Sequence, residues 1–152
     1  MRCVVRYWLM IAKDHRGRDG KPVSARAIVE RRVASGVWFV SIKNPYLKKV
    51  GVGDRGIMLA LGKTKRELLG DCTVIGGPFP IDVRVQSLIE GAPSSVLTHY
   101  LRIEGRLWPQ GRDLKECVEK LSFVGDVSKW YVYFQGSLKP LTDNDVQVLM
   151  GR

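Results

Sequence analysis

The sequence predicts an α+β fold in which a strongly curved mixed sheet, or small barrel, carries helices over its openings. Three observations predict it. Apolar, β-branched segments and amphipathic segments alternate in the order strand, helix, several strands, helix, short segment, helix. Glycine is abundant, at 16 residues, as a bent sheet requires. The chain of 152 residues is 45% hydrophobic and 26% charged, which fits a single domain over 1–152; a chain of this size buries about two-thirds of its unfolded surface without a metal or disulfide staple. That composition excludes extended disorder, collagen, coiled coil and a disulfide scaffold.

The elements follow in chain order. Cys3 to Ala12 is rich in β-branched and aromatic residues and reads as a central strand buried on both faces. The polar run from Lys13 to Ser24 holds two glycines and a proline and reads as a loop. Ser24 is an N-cap for a helix over Ala25 to Ala34, closed by Gly36. Val37 to Ile42 is a short strand, broken by Asn44-Pro45. Gly53-Asp54 is a turn, and Arg55 to Leu61 and Asp71 to Gly76 are core strands, the second interrupted at Gly76-Gly77-Pro78 by a bulge or corner. Ile81 to Val85 and Leu97 to Leu107 read as further strands. Leu114, Val118 and Leu121 stand at helical spacing, which predicts a helix over Asp113 to Leu121. Trp130 to Phe134 fits either period. Thr142 followed by Asp145 resembles a capping box that opens a last helix.

The net charge is +10, and its placement is uneven. Residues 1–50 hold 12 Lys and Arg against three Asp and Glu, while the remaining two-thirds is nearly neutral. A localised basic surplus points to an anionic partner. Cys3, Cys72 and Cys117 are far apart, no CxxC occurs, and His15 and His99 are the two histidines. Four clustered ligands are not available, so no metal site is expected, and free thiols fit a cytoplasmic location. The longest apolar stretch, Val4 to Ala12, contains Arg6 and is too short to span a bilayer.

Gly62-Lys63-Thr64 has the ending of a phosphate-binding loop, but Ile57 stands where that motif needs its first glycine. It reads as a basic turn. Asp14-His15 offers an acid–base pair in a loop; the competing reading is a polar loop that fixes a ligand by hydrogen bonds. Trp8, Trp38, Trp108 and Trp130 are isolated in sequence, and core is the default for each. Trp38 differs in setting, since it follows a basic helix with Arg26, Arg31 and Arg32. An aromatic wall beside cations is what base recognition uses, the ring stacking on the base and the cations holding phosphates.

Tyr7 to His15 (YWLMIAKDH), the SARAI start of the first helix, Trp38 with Gly53-Asp54-Arg55, and the stretch from Leu114 to Leu149 that includes CVEKLSFV and KWYVYFQGSLKPL together resemble the EVE-domain family of the PUA-like superfamily. The resemblance runs in order along essentially the whole chain. It implies a PUA-like pseudobarrel, a curved mixed sheet of about five to six strands with flanking helices. It also implies one ligand pocket, no catalysis and no cofactor. EVE domains are regarded as readers of modified nucleic-acid bases and are cousins of YTH domains, which hold a methylated adenine in an aromatic cage. Gly36-Val37-Trp38 matches the Gly-Val-Trp of the YTH pattern, and Lys13-Asp14-His15 stands in place of its Lys-Ser-Asn.

The expectation is therefore a non-enzymatic module that reads a modified, flipped base in RNA or DNA and has no membrane partner. Lys13, Asp14, His15 and Ser24 address the base edge, and Trp38 forms one wall. Trp108 and Trp130 are the candidates for a second wall, and Arg16, Arg26, Arg31 and Arg32 hold the backbone. The alternatives are an enzyme of nucleic-acid or nucleotide modification using Asp14 and His15, and a basic subunit that docks on RNA or protein.

Overall fold

The computed structural model describes residues 5–17, 19–88 and 97–151; Cys3 and Val4, where the first strand was expected to begin, lie outside them. Among the described residues eight strands are present: β1 (Tyr7–Lys13), β2 (His15–Arg16), β3 (Pro22–Val23), β4 (Val37–Val40), β5 (Arg55–Leu61), β6 (Arg66–Pro80), β7 (His99–Asp113) and β8 (Leu138–Leu141). Helices α1 (Ala25–Ser35), α2 (Val83–Gln86) and α3 (Asp143–Met150) are joined by 3-10 segments at Leu114–Glu116, Val118–Lys120 and Val127–Tyr133.

Six strands form one mixed sheet in the order β4-β7-β6-β5-β1-β8, and β2 pairs with β3 in a separate small hairpin. The pairing of β1 with β5 is parallel; the other pairings are antiparallel. This is the curled mixed sheet the sequence predicts.

Side chains alternate across the central strands, as a two-residue period requires. Trp8, Met10 and Ala12 of β1 join Met58 and Ala60 of β5 in a core that also holds Ile28 and Val29 of α1. Leu9 and Ile11 join Ile57 and Leu59 in a second core, closed by Leu114, Val118, Phe134 and Leu149. β1 and β5 are thus buried on both faces, which explains the unbroken apolar run of β1.

The long antiparallel β6–β7 pairing is irregular, with register shifts at Leu68/Gly70, Val74/Gly76 and Gly76/Phe79. A Cβ at Gly70 would stand 2.1 Å from the Arg106 carbonyl oxygen of β7. Gly70→Ala is therefore expected to lower the unfolding free energy by about 1–3 kcal/mol through overpacking, readable as a lower midpoint in urea denaturation.

Two expectations are corrected. Ile81 to Val85 is not a strand: Asp82 accepts the Val85 N–H at 3.0 Å and opens the single turn of α2 instead. Asp113 to Leu121 is not a continuous α-helix but two 3-10 turns meeting at Cys117. Leu138–Leu141 is edge strand β8, paired with β1, where the EVE-domain resemblance implies a basic-hydrophobic strand before the closing helix. The last helix forms as expected. Asp145 accepts from the Ser122 backbone and hydroxyl at 2.7 Å and from the Thr142 N–H at 3.2 Å. Burial alone would raise its pKa, but these bonds hold the carboxyl below its ordinary range.

Candidate nucleic-acid interface

Parallel pairing places the ends of β1 and β5 side by side, with Ala12 opposite Ala60 and Lys13 opposite Leu61. Where β1 ends, the chain turns through the β2–β3 hairpin into α1; where β5 ends, it turns through Gly62–Lys65 into β6. Between these segments lies a cleft of about 570 Å³. Pro22, Val23, Ala25 and Ala60 give it apolar lining, while His15, Ser24 and Thr64 supply polar groups. Arg16, Arg26, Lys63 and Lys65 face two carboxylates, Asp14 and Glu67.

Both carboxylates are already engaged. Asp14 accepts the Ala25 N–H at 2.8 Å and the Lys63 N–H at 3.0 Å, so it ties the start of α1 to the β5–β6 turn. Glu67 pairs with Arg26 at 2.9 Å. Ser24 caps α1 by accepting the Ala27 N–H at 3.1 Å. Arg16 donates to the Gly20 carbonyl at 3.2 Å and remains exposed. The residual charge of the cleft is therefore positive, and among the described residues His15 is the single aromatic ring that lines it.

The remaining expected residues stand elsewhere. Lys13, half-buried at the end of β1, lies 3.4 Å from the Gln135 side-chain oxygen and does not line the cleft. Arg31 is on the exposed face of α1. Trp108 donates to Asp71 at 2.7 Å and packs on the second core. Trp130 also packs there, with the Arg66 guanidinium 4.9 Å from its ring. The structure does not bring these two rings to the cleft.

Two expectations need correction here. Arg32 is 3% exposed, with its guanidinium 4.7 Å from the Trp38 ring and 5.4 Å from the Phe39 ring, so it faces the interior rather than a phosphate. Trp38 is fully enclosed in the core and is not among the residues that line the cleft, so it forms no wall of it. Its indole N–H is a buried donor without a partner among the described residues.

Sequence reasoning missed Lys63, Thr64 and Lys65. Their signal was the basic Gly62-Lys63-Thr64 turn, but its position beside Asp14 follows only from the parallel β1–β5 pairing.

Among the described residues no thiol lines the cleft. Burial, helped by nearby Asp71, pushes the Cys72 thiol up to about 12, and burial also raises that of Cys117. Among the described residues no cluster of His, Cys, Asp and Glu could hold a metal ion, and no helix is long and apolar enough to cross a membrane.

No protein-family model and no curated protein matches the chain. Solved structures do. Human THYN1, in complex with DNA containing 5-methylcytosine, superposes with a TM-score of 0.62 at 12% identity, covering 96% of each chain. The DUF55 domain of human thymocyte nuclear protein 1 gives 0.61 at 12% identity, over 95% of this chain and 96% of that one. The Pho92 YTH domain, in complex with m6A, gives 0.60 at 10% identity, over 97% of this chain and 82% of that one. The chain thus shares the fold of these DUF55 and YTH domains, a curled mixed sheet of six strands with a few helices.

Proposed function

We propose that the protein is a non-enzymatic module that binds single-stranded or locally opened nucleic acid and reads a modified base in the cleft at the end of β1. The observation that carries this reading is the make-up of that cleft: four cations over two engaged carboxylates, with an apolar floor. Two proteins of the same fold, one in complex with 5-methylcytosine DNA and one with m6A, support a methylated base as the ligand.

The physics suits the reading. Extruding a base from its stack costs a few kcal/mol, and cationic side chains offset this through phosphate contacts that release counterions. His15 offers a ring on which a base stacks. Its imidazole, the Ser24 hydroxyl and the Thr64 hydroxyl supply donors and acceptors for the base edge. A methyl group gains about 1 kcal/mol against Val23, Ala25 and Ala60, so sharper discrimination requires an unpaired polar group in the unmodified complex. Asp14 acts as an anchor in this reading: both its oxygens accept backbone N–H groups, unlike a general base free to take a substrate proton.

The test is titration of the protein with single-stranded oligonucleotides that carry 5-methylcytosine or N6-methyladenine and with their unmodified counterparts, over a range of salt. Binding that weakens linearly in log salt and favours one methylated strand is expected. Salt-insensitive binding, or equal affinity for methylated and unmodified strands, would contradict the reading.

A further inference from the structure

The cations around the cleft fall into two groups. Arg26 is paired with Glu67, Arg66 lies over Trp130, Lys13 is beside Gln135, and Arg16 holds the Gly20 carbonyl. These side chains have structural partners. Lys63 and Lys65 are exposed, and no hydrogen bond or ion pair engages their side chains among the described residues.

The backbone beneath these two lysines is held from several sides. The Gly62 N–H donates to the Lys65 carbonyl at 2.9 Å and closes the turn. The Lys63 N–H donates to Asp14 at 3.0 Å. The Arg66 guanidinium donates to the Lys63 carbonyl at 3.3 Å while lying against the Trp130 ring. A side chain at position 62 would stand 2.9 Å from the Lys65 oxygen and 3.2 Å from Asp14, so the turn closes this tightly only around glycine. A turn needs none of this to join two strands. Its result is two ammonium groups, without a partner among the described residues, on a hydrogen-bonded turn that lines the same cleft as Arg16.

We infer that the Lys63–Thr64–Lys65 turn grips the phosphates flanking the inspected nucleotide, so that the strand passes between this turn and the β2–β3 hairpin. The inference rests on the reader reading above and adds to it the groups that hold the backbone. The ligand it implies is a polyanionic single strand rather than a free nucleoside. An ammonium is a point charge with no preference among bases, so the turn supplies affinity and register while the cleft supplies selectivity. The same turn gives Trp130 a role in this account: it braces Arg66, and through Arg66 the Lys63 carbonyl.

The experiment compares the unsubstituted protein, Lys63→Ala/Lys65→Ala and Lys63→Arg/Lys65→Arg. The probes are a 5-methylcytosine oligonucleotide, an N6-methyladenine oligonucleotide and their unmodified counterparts. Both side chains are exposed and unpartnered, so an unchanged melting temperature is expected and verifies the fold. The double alanine variant is expected to bind at least about tenfold more weakly at low salt. Its slope of log affinity against log salt should shrink by about 1.4, the value for two lost phosphate contacts on a single strand. The ratio of methylated to unmodified affinity should stay constant, and the double arginine variant should restore the slope. An unchanged slope in a protein that still prefers a methylated strand overturns this inference and leaves the reader reading standing. A reduced slope with no methyl preference in any variant does the reverse. Absence of oligonucleotide binding by the unsubstituted protein overturns both.

Discussion

Trp38→Ala is expected to lower the unfolding free energy by about 3–5 kcal/mol, the range for truncating a fully buried large aromatic residue. The indole is completely enclosed, and its loss opens a void between α1 and β4. It also strips the buried Arg32 guanidinium of a ring 4.7 Å away. Trp38→Phe separates these contributions. It keeps a ring beneath Arg32 and removes an N–H that has no partner to lose, so its cost should be less than half that of alanine. Urea denaturation of both variants provides the comparison. Because the ring is enclosed and does not line the cleft, Trp38→Phe should leave methylated-strand affinity within about twofold, well below the 1–3 kcal/mol of a stacked base. A selective loss of methyl preference in that variant would put the indole in contact with the base and contradict the geometry described here.

Asp14→Ala is the second large effect. It leaves the Ala25 and Lys63 N–H groups without their acceptor. Hydrogen bonds to charged groups contribute about 1.5–3 kcal/mol each when desolvated. Asp14 is half-buried, so a combined loss of about 2–4 kcal/mol is expected. The β5–β6 turn should loosen with it, because the Lys63 backbone loses its tie to β1. Hydrogen exchange at Lys63 and Ala25 gives the local readout, and faster exchange at both is expected. Oligonucleotide affinity should fall even where the variant is fully folded, since the cleft's two sides are no longer fixed relative to each other. Asp14→Asn retains one acceptor oxygen and should show an intermediate loss. Turnover lost in Asp14→Ala with oligonucleotide affinity retained would instead favour the catalytic alternative.

What the sequence made legible was local chemistry. The Ser24 cap, the Gly36 stop and the Thr142–Asp145 capping box each involve residues within one or two turns of each other, and each formed as read. The cleft's near side was legible for the same reason, since Asp14, His15, Arg16, Ser24 and Arg26 are close in the chain. Its far side was not. The Lys63 backbone reaches Asp14, and Lys65 the cleft, only because β5 pairs in parallel with β1, and no local pattern encodes that pairing. β8 carries no periodic signal of its own, because Lys139 and Pro140 interrupt its apolar character, and only the family resemblance implied a strand there; an edge strand tolerates a proline that a central strand does not. Arg32 was read as a surface cation by its charge. Stacking on Trp38 and Phe39 lets a weakly hydrated guanidinium lie inside the fold, and the same contact encloses the tryptophan that sequence reasoning set on a pocket wall.

The most direct measurement is a competition at moderate salt between a methylated strand and its unmodified twin, with backbone amide shifts followed during the titration. The account predicts that one methylated strand wins, and that the perturbed amides cluster at residues 14–16, 22–26 and 60–67, the segments that surround the cleft. Perturbations centred instead on the separate hollow around Arg6, Tyr46 and Lys49, or a competition in which neither strand prevails, would contradict it.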